Sequence, residues 1–293
     1  SRRDSCSFSV TGGQTCALTI FIFSTPFPPK EGIGNYVYNL SKKVISKGHE
    51  VTLITRGGFS FEQQKYEGIN VIKPVFLPIY PFHVFVHGYF VQKIFKKLEP
   101  DFDVVHIHSP LSPVIRSKLP IISTIHTPMK TDTVNFEKVG LFSYVARAQW
   151  RVSYGIEMFL LKASKIITAV SRTVAQELAN EYNVKYDDVK VIYNGVDEKT
   201  FIPAVCKTED KYILYVGSLG YRKGLFDLVE CATYICKQYA DINFIIVGDG
   251  VLKSKMMNMV KKHNLESRFT FKGHVSKEEL INIYQNALIH VVP

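Results

Sequence analysis

Long apolar runs are missing from this 293-residue sequence. The greasiest stretch, Leu18 to Phe23, is strand-sized and far too short to span a bilayer. Cysteine chemistry is nearly absent as well. Cys6, Cys16, Cys206, Cys231 and Cys236 are an odd set without a C-x-x-C pair, which excludes a disulfide framework and gives no zinc-ligand spacing. A reduced, cytoplasmic setting is the expectation. The chain also lacks a helix-turn-helix signature, an RNA-binding aromatic motif and any long basic run, although its formal net charge is +10. That excess calls for an anionic partner. A phosphorylated substrate or an anionic membrane surface fits it better than nucleic acid does. Short-period repeats are missing too, and the one biased tract is the Ser/Thr/Gly-rich stretch Ser1 to Thr15. Having no apolar block, this stretch reads as a disordered tail over residues 1–17 and not as a secretory signal.

What is present is the composition of a folded chain. A hydrophobic fraction of 46% with a mean hydropathy of +0.03 excludes disorder, and the length allows two separate cores. From Leu18 onward, short apolar runs alternate with amphipathic segments, the pattern of βαβ units around parallel sheets. The spacing predicts strands at Leu18–Phe23, Val51–Thr55, Val104–Ile107, Ile121–Ile125, Ile166–Val170 and Val189–Tyr193. A second set falls at Tyr212–Val216, Asn243–Val247, Arg268–Lys272 and Leu288–Val292. Helices are predicted over 32–47, 225–239, 251–263 and 277–285. The polar, turn-rich stretch Asn194 to Asp210 separates the sets. The expected organisation is a tail at 1–17, a first α/β domain at 18–197 and a second at 198–293. The last residues, Val291-Val292-Pro293, follow a strand with no closing helix, so the second domain is expected to be incomplete.

Two glycine-bearing turns stand where a strand gives way to a helix. In Pro28-Pro29-Lys30-Glu31-Gly32-Ile33-Gly34-Asn35, glycines let the backbone approach a ligand while the helix N-terminus offers free N–H groups to an anion. A tight structural turn accounts for the same residues, and the dinucleotide fingerprint fails because Val37 occupies its third glycine position. In Gly217-Ser218-Leu219-Gly220-Tyr221-Arg222-Lys223-Gly224, two adjacent cations beside glycines form a natural grip for a diphosphate. A solvated Arg-Lys pair is the alternative, but ligands of open α/β sheets bind where the strands end. His126 closes the strand Ile121–Ile125, where the sheet would turn its ring outward into a cleft. His106 and His108 alternate along theirs and so point to one side, where a buried, satisfied imidazole is the expected role. Val247-Gly248-Asp249-Gly250 is a further turn, with no Gly-Lys-Ser/Thr to make it a Walker loop. The stretch Tyr80 to Lys97 carries Phe82, Phe85, Tyr89, Phe90 and Phe95 beside Lys93, Lys96 and Lys97. It could lie on an anionic surface, but its apolar face is expected to belong to the core.

Taken in order, these pieces resemble retaining glycosyltransferase family 4, of the GT-B fold. The likeness runs from Leu18 to Pro293 through Glu31-Gly32-Ile33-Gly34, Gly48-His49-Glu50-Val51, Asp103-Val104-Val105-His106-Ile107-His108 and Ile125-His126-Thr127. It continues through Ala169-Val170-Ser171, Val191-Ile192-Tyr193-Asn194-Gly195-Val196-Asp197, Tyr215-Val216-Gly217, Arg222-Lys223-Gly224 and Phe271-Lys272-Gly273-His274-Val275. The resemblance implies two Rossmann-like domains facing a cleft. It also implies transfer from a UDP-, GDP- or ADP-sugar with retained anomeric configuration and neither metal nor cofactor. Arg222 and Lys223 would hold the diphosphate and stabilise the departing nucleotide. Gly32, Gly34 and Gly217 would line the phosphates, Val275 the nucleobase, and His126 the sugar. Acceptor choice would lie in the first-domain loops Gly57 to Tyr66 and Met129 to Arg147, with a lipid or glycan acceptor and a site at the cytoplasmic face of a membrane both compatible.

The sequence departs from that pattern in two places. Ser218 stands where the family often has a first phosphate-binding arginine, and the family's paired glutamates would fall beyond Pro293. An inactive fragment or a non-enzymatic nucleotide-sugar-binding module is the corresponding alternative. A dinucleotide-dependent oxidoreductase would need the missing glycine and an acidic residue where the second strand ends in Thr55-Arg56.

Overall fold

Most of the predicted strands are apolar runs, which a sheet can bury only if both faces are covered. The computed structural model, which describes residues 18–29, 32–79, 82–110, 112–113, 115–134, 150–204, 211–220 and 223–293, covers the central ones on both faces. The chain divides into two units, Ser1–Asn194 and Gly195–Pro293.

The first unit runs β1 (Leu18–Pro26), α1 (Gly32–Ile45), β2 (Glu50–Arg56), β3 (Glu62–Tyr66), β4 (Ile69–Lys73), α2 (His83–Leu98), β5 (Val104–Ser109) and β6 (Ile121–Ile125), followed by α3 (Met129–Val134), α4 (Trp150–Ala163), β7 (Ile166–Ala169), α5 (Arg172–Tyr182) and β8 (Val189–Val191). Among the described residues its sheet has eight strands in the order β3-β4-β2-β1-β5-β6-β7-β8, parallel except for the β3–β4 hairpin. Alternate residues serve opposite faces. Phe21, Phe23, Leu53 and Val71 pack against Val37 of α1. Ile20, Ile22, Ile54 and Ile107 pack on the other face with Val91 and Phe95 of α2, Leu160 of α4 and Leu178 of α5.

The second unit contains β9 (Lys211–Val216), α6 (Leu225–Gln238), β10 (Ile242–Val247), α7 (Lys253–Lys262), β11 (Phe269–Gly273), α8 (Lys277–Asn286) and β12 (Ile289–His290). Its four strands are parallel, in the order β11-β10-β9-β12. Ile213, Tyr215, Phe244 and Ile246 meet Val229 of α6 and Met256 of α7, while Tyr212 and Leu214 face Ile283 of α8.

Three expectations change. Neither expected acceptor-side loop is all loop: Glu62 to Tyr66 forms the edge strand β3, whose exposed polar residues carry no apolar signal, and Met129–Val134 forms α3, with 135–147 outside the described residues. The last strand shrinks to Ile289–His290. Helix α2 is only half committed to the core: Val84, Val91 and Phe95 are buried, whereas Phe82, Phe85 and Tyr89 stand in solvent.

Candidate active site

Because β1, β2, β4, β5 and β6 run parallel, their C-terminal ends share one edge of the first sheet, and His126 follows β6 there. Its backbone N–H donates to the Ser109 carbonyl at 3.3 Å, tying it to the end of β5. On β5, His106 and His108 project from the same face, as alternation requires, and their rings stack at 4.3 Å. The His126 ring continues the row at 5.6 Å from His108. Tyr36, one turn after Gly32 on α1, sets its ring edge-on to His126 at 4.9 Å and also touches His108 at 5.7 Å. Three imidazoles and a phenol therefore form one aromatic wall beneath the start of α1.

Hydrogen bonding along the wall orients the rings. His106 Nε2 lies 2.7 Å from Thr124 Oγ1, which in turn contacts Thr168 Oγ1 at 2.7 Å. His108 Nδ1 stands 3.4 Å from His126 Nε2, while His108 Nε2 is buried with no partner among the described residues. An orphaned buried N–H costs more than an orphaned acceptor, so the tautomer with its proton on His108 Nδ1 is favoured. That proton points at His126 Nε2, which makes it an acceptor and leaves the His126 proton on Nδ1. Burial pushes the pKa of His106 and of His126 down to about 4 and holds that of His108 well below the ordinary imidazole value, with mutual repulsion adding to the effect at His106 and His108. The cluster is neutral at pH 7.

Behind the wall lies a buried carboxylate that sequence reading missed. Glu157, on α4, accepts hydrogen bonds from Ser109 Oγ at 2.6 Å, from the Met129 backbone N–H at 2.7 Å and from the Tyr182 hydroxyl. It clamps the end of β5, the turn that carries His126 and the end of α5. Burial raises its pKa against the pull of those three bonds. The one available signal was an acid inside the apolar run Ile156-Glu157-Met158-Phe159-Leu160-Leu161. Tyr36 was missed because it reads as an ordinary face residue of α1. Removing Glu157 strands three donors, so Glu157→Ala is expected to cost about 3 kcal/mol. That lowers the melting temperature by roughly 6–12 °C. Calorimetry checks it, and an unchanged melting temperature would refute the clamp.

The predicted glycines play different parts. Gly32 is exposed, and a Cβ there would meet nothing within 4 Å, so a ligand can approach its backbone. At Gly34 a Cβ would stand 3.0 Å from Thr25 Oγ1 and 3.1 Å from Pro29, and the visible reason for glycine is the packing of α1 onto the end of β1.

At the corresponding edge of the second sheet, glycine backbones converge. The Gly217 N–H donates to the Val247 carbonyl at 3.0 Å, and the Gly248 N–H to the Gly273 carbonyl at 2.7 Å. Gly248 has a φ of +124°, and any Cβ there would overlap the Gly217 carbonyl oxygen. Gly224 caps α6 in the left-handed conformation with no side-chain hydrogen bond to the first turn, and Pro293 lies against it. Lys223 beside it is exposed and forms no ion pair with any of the described residues. Val275 is half-buried against the Leu214 cluster. Arg222 lies outside the described residues. The first unit thus gathers Gly32, Gly34 and His126 at one edge, and the second gathers Gly217, Lys223 and Val275 at another.

Two family models match the chain in tandem, one described as Glycosyltransferase Family 4 over residues 30–200 and one as Glycosyl transferases group 1 over residues 197–293. Among curated relatives, an uncharacterized glycosyltransferase of Methanocaldococcus jannaschii is 24% identical over 94% of this chain and 74% of its own length. A glycogen synthase of Mycobacterium tuberculosis is likewise 24% identical, over 94% of this chain and 72% of its own. Among solved structures, a sucrose-phosphate synthase from Thermosynechococcus elongatus superposes with a TM-score of 0.77 at 18% identity, over 94% of this chain and 75% of that one. At such identity the likeness establishes the fold, the GT-B pairing of Rossmann-like units. The first family match spans more than half of the chain and the second continues it in order: this chain is a glycosyltransferase and belongs to glycosyltransferase family 4.

Proposed function

We propose that the chain transfers a glycosyl group from a nucleoside-diphosphate sugar to a glycan or lipid acceptor, with retained anomeric configuration and without a metal. The observation that carries this reading is the turn before α6. There a glycine-lined backbone, a Lys223 with no ion pair among the described residues and a helix N-terminus with no side-chain cap coincide at a strand end. A diphosphate is the ligand that such a turn suits best. Arg222 and Lys223 supply the two positive charges that a divalent ion would otherwise bring to the leaving nucleotide. Gly217 approaches the phosphates through its backbone, and Val275 offers an apolar contact and a main chain to the base. His126 takes the sugar. Being neutral, it adds no positive charge where an oxocarbenium-like centre develops, and it presents Nδ1–H as a donor.

Thermal-shift titration with UDP-, GDP- and ADP-sugars is the direct test, with an Arg222→Ala/Lys223→Ala variant alongside. One donor class is expected to stabilise the protein by about 2.7 kcal/mol at a hundredfold excess over its Kd, and the variant to lose that shift. The absence of a shift with every donor would sink the diphosphate grip. Donor binding with no glycosyl product would instead identify a binding module. The anomeric configuration of the product, read by NMR, tests retention, and insensitivity to chelator tests metal independence.

A further inference from the structure

The exposed half of α2 is not explained by glycosyl transfer. Along this helix Phe82, Phe85, Tyr89, Lys93 and Lys96 follow one another at three- and four-residue intervals and so share one stripe. The stripe faces away from the buried residues Val84, Val91 and Phe95. Phe82, Phe85 and Tyr89 retain 56%, 49% and 65% of their surface in water. Lys93, Lys96 and Lys97 are also exposed.

The stripe does not stand alone. The loop after β2 and the loop leading into α2 lie side by side, joined by a hydrogen bond from the Phe76 N–H to the Gly58 carbonyl at 2.8 Å. Arg56 places its guanidinium over the Phe76 ring at the same junction. From these loops Phe59, Phe61 and Ile79 also project, each more than half exposed. Six large side chains, from 49% to 79% exposed, together leave on the order of 500 Å² of apolar surface in water, an amount typical of contact surfaces. All the loops involved leave the C-terminal edge of the sheet, the edge that carries His126.

The charges select the occupant. From Pro74 to Leu98 there is no Asp or Glu, and the lysines lie at the far end of the stripe from the aromatics. A docked protein would need a matching apolar face, and a second copy of this chain would bring like charge against like. An interface of anionic lipid satisfies both halves: rings enter the headgroup region while lysine stems extend along it to the phosphates. We propose that this surface docks the protein on anionic membranes, with Phe82, Phe85 and Tyr89 inserted and Lys93, Lys96 and Lys97 on the lipid phosphates. The reaction edge of the first unit then sits next to the bilayer.

Co-sedimentation with vesicles tests this without reference to activity. Vesicles of phosphatidylcholine with about 30% phosphatidylglycerol are expected to take up the protein at least about tenfold better than phosphatidylcholine alone, with the difference abolished in roughly 0.5 M NaCl. Phe82→Ser/Phe85→Ser/Tyr89→Ser should lose about tenfold or more, and Lys93→Glu/Lys96→Glu/Lys97→Glu about a hundredfold. Both variants alter exposed side chains, and thermal unfolding monitors their fold. The salt dependence of the unaltered protein decides the matter even if a variant fails to fold. Equal uptake by both vesicle types, or wild-type uptake by both variants, would overturn the proposal. So would a wild-type dimer, measured by light scattering, that the aromatic variant converts to monomer. A donor-induced thermal shift preserved in both variants separates this surface from the diphosphate turn.

Discussion

Replacing His126 with alanine is expected to lower kcat by about 100- to 1,000-fold while the donor-induced thermal shift persists. The separation follows from where the residue sits. His126 belongs to the first unit and leans on His108 and Tyr36, whereas the proposed diphosphate grip is built from the second unit's own backbone and cations. Under the proposed assignment, binding of the nucleotide survives and what disappears is the hydrogen-bond donor offered to the sugar. The ring is held by its tilted contact with His108, by the edge-on Tyr36 ring and by the strand-end hydrogen bond to Ser109, so under the proposed assignment its position costs no reorganisation during the reaction. A variant that kept wild-type kcat would remove His126 from the mechanism. A variant that lost the thermal shift would assign His126 to nucleotide binding instead.

The same imidazoles make the first unit acid-sensitive. In the unfolded chain a histidine takes up its proton near pH 6.5, whereas folded His106 and His126 take it up only at about 4 and His108 is likewise held well below its ordinary value. Between those values the unfolded state binds more protons, so stability rises with pH through this window. The contribution is fully present above about pH 6.5 and is lost as pH falls toward 4. Each imidazole adds up to about 1.4 kcal/mol per pH unit. Glu157 acts in the opposite direction, since its raised pKa makes the protonated form the easier one to bury. Urea unfolding monitored at pH 7, 6 and 5 should show a midpoint that falls over a range in which most surface carboxylates remain ionised. His106→Phe, which preserves the stacked ring and removes one titrating group, should flatten that slope. A midpoint independent of pH from 7 to 5 would contradict the burial of the cluster.

Much of this architecture is legible in the sequence because it rests on local rules. A strand covered on both faces must be a run of apolar residues, and Ile20 to Phe23, Leu53 to Ile54 and Leu214 to Val216 read as such before any fold is known. Alternation alone puts His106 and His108 on one side. What alternation cannot supply is register. His126 reaches His108 because β5 and β6 pair with His108 opposite Thr124, a relation fixed by the whole sheet. Glu157 is harder still, since its three partners come from three other elements and only their joint packing makes a carboxylate acceptable there. The strand β3 gives no apolar pattern because it buries almost nothing. The aromatics of α2 mislead in the opposite way: Phe95 and Phe85 look alike in sequence, and one is core while the other stands in water.

The same quiet strand governs how the first unit behaves in a crowd. A sheet that stopped at β4 would display a row of unpaired amides and carbonyls to any passing chain, an open template for assembly. Instead the boundary is Glu62-Gln63-Gln64-Lys65, short, hydrophilic and antiparallel to its neighbour, and Lys73 pairs with Glu62 across it. At the opposite margin β8 contributes only Val189–Val191, too little to recruit a partner strand. Eight strands are thus finished at both ends, so self-association through the sheet is discouraged whatever surface the protein rests upon.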